Sequence, residues 1–226
     1  MTTSDPDLAQ AIVGLRGSLA ELHQELVRNG LVVWTGGNVS ARVPGHDLML
    51  IKPSGVGYDD LTPESMVLCD LDGAVVEGDL APSSDTASHA YVYRHMPDVG
   101  GVVHTHSTYA VAWAARGEPV PCVLTAMADE FGGAIPVAPF ALIGTDAIGK
   151  VVVDALQGSP SSAVLVANHG PFTIGADARA AVKAAVMCED VCRSVHIARQ
   201  LGEPLPIPAD AVRLLHERYQ NDYGQR

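Results

Sequence analysis

Val102-Val103-His104-Thr105-His106-Ser107 is the stretch of this 226-residue sequence that says most about its fold and function. The two valines extend a short apolar run, and we predict a β-strand over residues 99–104. Alternate residues of a strand point to the same face of a sheet. His104 and His106 can therefore reach one common point where the strand ends.

A third histidine follows another apolar run, residues 163–167, in the sequence Asn168-His169-Gly170. Three imidazoles around an open fourth position are a common arrangement for catalytic zinc. The spacing therefore indicates a divalent metal site formed by His104, His106 and His169. Because His-x-His is common in sequences, the alternative is that these histidines end separate strands and share no ligand.

Length and composition indicate one α/β domain that spans residues 1–226. With 47% hydrophobic and 18% charged residues, the chain can fill a sizeable core. Its formal net charge of −12 argues against general nucleic-acid binding. The sequence shows no signal peptide, no apolar run that approaches the roughly 18 residues of a membrane span, and no Cys-x-x-Cys pair. We therefore expect a cytoplasmic protein without a membrane or nucleic-acid partner.

Hydrophobic periodicity predicts helices that alternate with strands. Leucines spaced three and four residues apart mark a first helix, which stops at Asn29-Gly30. The other predicted helices cover residues 84–95, 108–116, 145–156, 176–201 and 209–219, and the strands cover 48–51, 66–69, 99–104, 163–167 and 171–174. Strands separated by helices imply a sheet with helices on its faces, and short turns between the early strands indicate a mixed sheet.

Three glycine- and serine-rich segments, residues 35–40, 52–55 and 82–85, precede the histidine pair. Glycine allows close approach of the backbone to a ligand, and consecutive amide groups form anion-binding nests. Ser83 and Ser84 lie at a predicted helix start, where free N–H groups favour a phosphate. Each segment alone is more typical of a plain turn. The three together, near a candidate metal site, indicate a phosphate-binding site.

Five ordered motifs resemble the class II aldolase and epimerase family, most closely its L-ribulose-5-phosphate 4-epimerase members. They are Gly-Asn-Val-Ser at 37–40, Lys-Pro-Ser-Gly at 52–55, Ser-Ser-Asp at 83–85, His-Thr-His at 104–106 and Asn-His-Gly at 168–170. The resemblance implies a three-layer α/β/α fold with a central mixed, largely antiparallel sheet. It also implies a homotetramer with active sites at subunit interfaces, and a divalent metal, usually Zn2+, with Mn2+ or Co2+ as alternatives.

The resemblance also implies roles for individual residues. It makes His104, His106 and His169 the metal ligands, and it implies a ketose phosphate as substrate. The residues that match phosphate or substrate contacts are Asn38, Lys52, Ser54, Gly55, Ser83, Ser84 and Thr125. Related proteins include dehydratases and decarboxylases of other sugar phosphates. The adducin head, a non-catalytic assembly module that lacks the metal histidines, is a more remote alternative.

The acidic residue after the two serines separates the activities within this family. Aldolases carry Glu there, whereas the pentulose-phosphate epimerase carries Asp, and this chain has Asp85. Asp129 and Tyr223 match further catalytic positions of the epimerase, although a turn-capping loop aspartate is the alternative for Asp129. The resemblance thus implies epimerisation at C4 of L-ribulose 5-phosphate, with an L-fuculose-1-phosphate-type aldolase as the alternative. Residues 140–162 read more like the aldolase.

Chemistry explains why a shorter acid would suit an epimerase. A divalent metal chelated by a ketose stabilises the enediolate that remains when the C3–C4 bond breaks. An aldolase protonates that carbanion, whereas an epimerase must leave it unprotonated and re-form the bond on the other face. Asp85 could lie near the metal and stop short of the carbanion, while Asp129 and Tyr223 exchange a proton with the C4 oxygen. The epimerase has a histidine in its last helix, where this chain offers Arg218, with His216 nearby.

The remaining histidines and tryptophans have simpler interpretations. Four histidines are expected to face solvent: His23, His46, His89 and His95. Two tryptophans are expected in the core: Trp34 and Trp113.

Overall fold

The computed structural model describes residues 6–222 of the chain. Within them the strands are β1 Asn38–Arg42, β2 Leu48–Ile51, β3 Val67–Asp70, β4 Val75–Glu77, β5 Gly101–His104, β6 Val137–Ala138, β7 Ala163–Val166 and β8 Gly170–Gly175. They form a sheet in the order β4-β3-β2-β1-β5-β8-β7-β6. Neighbouring strands run antiparallel, apart from the parallel pair β6 and β7. The prediction of a mixed, largely antiparallel sheet is confirmed.

The helices of the described residues are α1 Pro6–Arg28, α2 Thr86–His95, α3 Thr108–Arg116, α4 Thr125–Phe131, α5 Ala147–Leu156, α6 Ala178–Leu201 and α7 Ala209–Asp222. The predicted helices and strands are present, with ends that differ by a few residues. Four elements were not predicted: β1, β4, β6 and α4. All are short, and the polar sequence of β1 becomes buried because the strand lies in the middle of the sheet.

Helices cover both faces of the sheet. Because successive strand residues point to opposite faces, Met49 and Ile51 pack with α2 and α5, whereas Leu50 packs with α1 and α6. The same alternation in β7 sends Val164 to the first face and Leu165 to α3, α4 and α6 on the second. The predicted three-layer α/β/α arrangement is confirmed.

Strand pairing determines which residues meet at the histidine-rich end of the sheet. Asn38 of β1 lies opposite His104 of β5, and Phe172 of β8 lies opposite His104 on the other side. A turn of three residues, 167–169, joins β7 to β8. The third histidine therefore lies beside the strand that carries the first.

Three expectations for single side chains were wrong. His23 is fully buried, because it lies on the apolar face of α1, donates from Nδ1 to the Leu19 carbonyl and accepts the Val39 N–H at Nε2. His89 is fully buried as well, because α2 turns it toward β1. Trp34 is 87% exposed, because it lies in a turn between α1 and β1, where it has a φ of +58°.

The other expectations for these residue types are confirmed: His46 and His95 are exposed and Trp113 is buried. No helix within residues 6–222 combines the length and the apolar character that crossing a bilayer requires.

Candidate metal and phosphate site

The three candidate metal ligands converge where β5 and β7 end. The candidate ligand atoms of His104, His106 and His169 lie within 4.8 Å of one another. The Nε2 atoms of His104 and His106 are 2.9 Å apart. Three imidazoles in this arrangement fit a divalent cation such as zinc and leave a further coordination position for a substrate oxygen.

His104 is oriented through its second ring nitrogen. Nδ1 lies 3.0 Å from the Pro171 carbonyl oxygen, so Nδ1 carries the proton and donates it, and Nε2 keeps its lone pair. Phe172 stacks on the imidazole, with ring centroids 4.2 Å apart. Burial lowers the pKa of His104 to about 3, against the opposing effect of Asp85. His104 is therefore neutral at neutral pH, the state that binds a metal.

The turn before β8 aims His169 at the same point. Asn168 has a φ of +59°, a left-handed conformation that asparagine adopts more readily than most residues. Gly170 allows the turn to pack closely, since a Cβ atom there would lie 2.7 Å from the Thr105 carbonyl oxygen. Burial also lowers the pKa of His169. Its Nδ1 atom is buried and has no hydrogen-bond partner in the described part of the chain, which suits a metal ligand.

One cavity of about 220 Å³ joins the histidine triad to the glycine- and serine-rich segments. Its lining residues are Thr35, Gly36, Gly37, Asn38, Lys52, Pro53, Ser54, Gly55, Ser83, Ser84, Asp85, His104, His106, Ile143 and His169. Six of the seven residues expected to contact phosphate or substrate are among them. A ligand with a phosphate and two oxygens for a metal could therefore use both ends of the cavity.

Backbone pairing holds the second and third segments together. Ser54 donates its N–H to the Ala81 carbonyl, and Ser83 donates its N–H to the Lys52 carbonyl. Pro53 and Pro82 form an isolated antiparallel bridge between these contacts. These contacts hold the two segments side by side, and Ser54, Ser83 and Ser84 all line the cavity.

Lys52 serves the cavity differently from a free phosphate ligand. Its side chain is buried, and Nζ donates to the carbonyl oxygens of Thr35, Pro53 and Val56 at 3.2, 3.3 and 2.9 Å. The three N–H bonds of the ammonium are therefore used to join the first segment to the second. Burial lowers the pKa of Lys52. Lys52 acts on an anion in the cavity through its positive charge and by fixing the loops.

Asp85 lies between the phosphate segments and the triad. Its Oδ2 accepts a hydrogen bond from Asn38 Nδ2 at 2.7 Å, and the same amide nitrogen lies 3.1 Å from the Ser83 hydroxyl. Burial by itself raises the pKa of Asp85, but His104, His89 and the Asn38 hydrogen bond together bring it below its ordinary value. Asp85 is therefore a carboxylate at neutral pH.

Three other expected residues lie elsewhere or outside the described residues. Thr125 and Asp129 lie on α4, so Asp129 is a helical residue and not a loop cap, and neither residue lines the cavity. The Asp129 carbonyl accepts a hydrogen bond from His216 Nδ1 of α7 at 2.9 Å. Arg218 on the same helix is exposed. Tyr223 lies outside the described residues.

Sequence reasoning missed two contributors to the cavity. Tyr58 donates its hydroxyl to the Gly36 and Gly37 carbonyls at 2.9 and 3.1 Å, and burial raises its pKa. Its position three residues after the second glycine-rich segment was the available signal. Ile143 lines the cavity from a distant loop, and nothing in the sequence marks it.

Comparison with known proteins gives a consistent family match. The Class II Aldolase and Adducin N-terminal domain profile matches residues 17–196. L-ribulose-5-phosphate 4-epimerase UlaF of Salmonella paratyphi B (strain ATCC BAA-1250 / SPB7) is 40% identical over 220 residues, which cover 93% of this chain and 95% of the relative.

Two solved structures with a similar fold are named L-fuculose 1-phosphate aldolase. An L-fuculose 1-phosphate aldolase superposes with a TM-score of 0.86 at 30% identity, over 92% of this chain and 96% of that one. The L-fuculose-1-phosphate aldolase of Thermus thermophilus has a TM-score of 0.69 at 27% identity, over 83% and 96% of the two chains.

Proposed function

The chain belongs to the class II aldolase and adducin N-terminal domain family, and we propose that it epimerises L-ribulose 5-phosphate at C4. It is an enzyme of the class II aldolase family. The observation that carries the proposed reaction is the cavity in which three converging histidines lie beside residues suited to a phosphate. The relative that is 40% identical is named for this activity.

We assign one divalent ion, with Zn2+ first and Mn2+ or Co2+ as alternatives, to His104, His106 and His169. When bound, the ion would supply Lewis-acid polarisation of the ketose carbonyl. Three imidazole nitrogens suit zinc better than the oxygen-preferring magnesium or calcium. The orientation of His104 by the Pro171 carbonyl supports this assignment, since metal-binding histidines usually donate their other N–H.

The phosphate is assigned to Asn38, Ser54, Gly55, Ser83 and Ser84. The serine hydroxyls can donate to its oxygens, whereas the backbone N–H groups of Ser54 and Ser83 are already bonded to Ala81 and Lys52. The buried charge of Lys52 favours a dianion there, although the protein carries a net charge of −12. Binding at this end would orient the sugar so that its carbonyl end points toward the triad.

Cleavage and re-formation of the C3–C4 bond require a proton to leave the C4 hydroxyl and later to return to the C4 oxygen. When the C3–C4 bond breaks, its electron pair stays on C3 and the C4 hydroxyl loses its proton, which leaves an aldehyde. Rotation of the aldehyde exposes its other face, the C3–C4 bond re-forms there, and the C4 oxygen regains a proton. We assign these proton transfers to Asp129 and Tyr223, one on each face.

Asp85 is assigned the role of a carboxylate that does not protonate C3. It is buried and ionised, and the hydrogen bond from Asn38 of β1 restrains its position. The aldolase alternative is favoured by the overlay with the L-fuculose 1-phosphate aldolase at a TM-score of 0.86. In that alternative, Asp85 would be the acid that protonates C3.

A homotetramer with active sites between subunits accounts for the position of α4. Thr125 and Asp129 do not line the cavity of their own chain, so a neighbouring subunit is the expected source of these residues. Large apolar side chains near the cavity support burial by a neighbour: Phe140, Leu142 and Ile143 are 60%, 69% and 64% exposed. The four cysteines are free thiols, which supports the expected cytoplasmic location.

Product analysis tests the proposed activity. The zinc-loaded protein is incubated separately with L-ribulose 5-phosphate and with L-fuculose 1-phosphate, and the products are identified by NMR. We expect the C4 epimer from the first substrate and little cleavage of the second. Release of two carbon fragments from L-fuculose 1-phosphate, with L-ribulose 5-phosphate untouched, would establish the aldolase alternative. Asp85→Glu should increase fragment release from L-ribulose 5-phosphate.

A further inference from the structure

Three buried polar side chains, one of them four residues after Asp85, are linked by hydrogen bonds between α2 and β1. His89 Nδ1 lies 2.7 Å from the Ser40 hydroxyl oxygen, and this oxygen lies 2.7 Å from the Tyr93 hydroxyl. Ser40 belongs to β1, and the other two residues lie one helical turn apart on α2. All three are at most 1% exposed. Three buried polar groups in an apolar layer are costly unless each hydrogen-bonding group is paired.

The hydrogen bonds of Tyr93 determine which atom donates at each step of this chain. Burial raises the pKa of Tyr93, against the opposing effects of Ser40 and Arg42, so the phenol keeps its proton. Among the described residues, the Ser40 hydroxyl oxygen is the hydrogen-bond acceptor within reach of the Tyr93 hydroxyl. The phenol proton therefore goes to Ser40, and the Ser40 proton goes to His89 Nδ1.

These bonds determine the tautomer of His89. Burial lowers the pKa of His89 to about 4, against the opposing effect of Asp85, so the ring is neutral at neutral pH and carries one proton. Because Nδ1 accepts the Ser40 hydroxyl, that proton is on Nε2. Nε2 is buried and has no hydrogen-bond partner in the described part of the chain. A buried N–H without a partner is rare and costly in a native protein.

The Asp85 carboxylate is an acceptor to which the His89 Nε2–H can donate. It precedes His89 by four residues, and the His89 backbone N–H donates to the Asp85 carbonyl at 3.0 Å. Asn38 occupies one oxygen of the carboxylate, Oδ2, from the β1 side. We propose that His89 is a positioning residue whose Nε2–H donates to the Asp85 carboxylate during turnover. The inference rests on the proposed role of Asp85 in the reaction.

The consequence is a carboxylate held from two sides. Asn38 restrains Asp85 from the sheet, and His89 restrains it from α2. Without His89, Asp85 is free to swing toward the carbon that must stay unprotonated. Loss of one charge-assisted hydrogen bond should lower kcat by roughly ten- to a hundredfold and raise the share of released fragments. KM and metal content should stay unchanged, since His89 does not line the cavity and is not among the three converging histidines.

The tautomer can be measured without reference to activity. Long-range 1H–15N NMR spectra of the zinc-loaded protein, with the His89 signals identified by their loss in His89→Gln, should show a protonated Nε2 and an unprotonated, accepting Nδ1. Ser40→Ala should convert this single tautomer into a mixture. A protonated Nδ1 in the unmodified protein would overturn the proposal, whatever the substrate proves to be.

Two substitutions separate hydrogen bonding from packing. His89→Gln keeps an N–H donor near the position of Nε2, and His89→Leu fills the space without a donor; the exposed His95→Gln is the control. We expect His89→Leu to lose kcat and His89→Gln to recover most of it, at similar melting temperatures. Full kcat in His89→Leu, or equal losses in both variants, would overturn the proposal. If His89→Leu does not fold, unchanged kcat in Ser40→Ala would do so.

Discussion

The candidate site has two halves that are built in different ways. The inner half consists of the histidine triad, Asp85 and the three loops, and it is fixed by strand pairing and by buried hydrogen bonds. The outer half consists of Thr125, Asp129 and Tyr223, of which the first two lie on α4 and do not line the cavity. One chain thus brings together the groups suited to bind metal and phosphate, whereas Thr125 and Asp129 lie apart from them.

The described residues of the outer half are held by helix packing and side-chain contacts. α4 packs on α7, where Lys183 of α6 pairs with Glu130 at 2.9 Å and lies 5.1 Å from the centre of the Tyr219 ring. His216 bonds to the Asp129 backbone, not to its carboxylate. The Asp129 Oδ1 atom is left buried without a partner among the described residues. This difference between the two halves supports the proposal that each site is completed by a neighbouring subunit.

The largest effect is expected from breaking the inner half at its metal ligands. His106→Ala should reduce bound zinc from one ion per subunit to near zero and abolish turnover, because two imidazoles do not hold the ion tightly. The fold should survive, since His106 is exposed and lies beyond the end of β5. Elemental analysis and circular dichroism measure both outcomes, with His95→Ala as the control. Full zinc occupancy in His106→Ala would refute the ligand assignment.

The relation between the halves can be tested by mixing two inactive proteins. Asp129→Asn should lower kcat by about 10²–10⁴-fold while zinc content stays the same. If each site takes its triad from one subunit and Asp129 from the next, random tetramers of Asp129→Asn and His106→Ala chains contain some intact sites. An equal mixture, unfolded and refolded together, should regain about a quarter of wild-type activity. No recovery would mean that each chain forms its own complete site.

A pH titration tests how much the buried His23 contributes to the stability of the fold around the inner half. His23 joins α1 to β1, and burial lowers its pKa to about 4. Above pH 6.5 the residue is neutral in both folded and unfolded chains, and its contribution to stability is fully present. As pH falls from 6.5 to about 4, only the unfolded chain takes up the proton, so the free energy of unfolding should fall by up to about 3 kcal/mol.

Urea unfolding at pH 7 and at pH 4.5, at one protein concentration, measures this loss. His23→Gln should show a smaller drop between the two pH values, and His46→Gln, an exposed histidine, should behave as wild type. An unchanged drop in His23→Gln would show that other groups carry the acid sensitivity.

The smallest effect is expected at the phosphate end of the inner half. Ser84→Ala removes one hydroxyl from the mouth of the cavity and should raise KM for the sugar phosphate about tenfold with little change in kcat. Ser159→Ala, away from the cavity, is the matched control. Steady-state kinetics with equal zinc loading decide the outcome, and an unchanged KM would remove Ser84 from the phosphate site.

Most residues of the inner half could be predicted from the sequence because they belong to short local motifs. His104 and His106 share one strand end, and Ser83 and Ser84 precede one helix, so spacing predicts that the members of each pair lie together. The family resemblance then implies their roles. The role of Lys52 was less accessible, because its partners are backbone carbonyls from two loops that no residue type marks. His23 and His89 were misassigned because an isolated polar residue on a helix does not reveal a partner on a distant strand.

The outer half could be predicted only in part. Asp129 was identified from the family resemblance, but its position on α4, outside the cavity of its own chain, depends on helix packing between distant segments. Periodicity did not predict this seven-residue helix, because two turns give little repetition of apolar residues.

The central claim is that the C3–C4 bond is broken and re-formed at one site without protonation of C3. The most direct test is to run the reaction of L-ribulose 5-phosphate in D2O and to examine the product by 1H NMR. The account predicts the C4 epimer with hydrogen retained at both C3 and C4, because neither carbon exchanges with solvent. Deuterium at C4, or release of a singly deuterated three-carbon ketone as the main product, would contradict it.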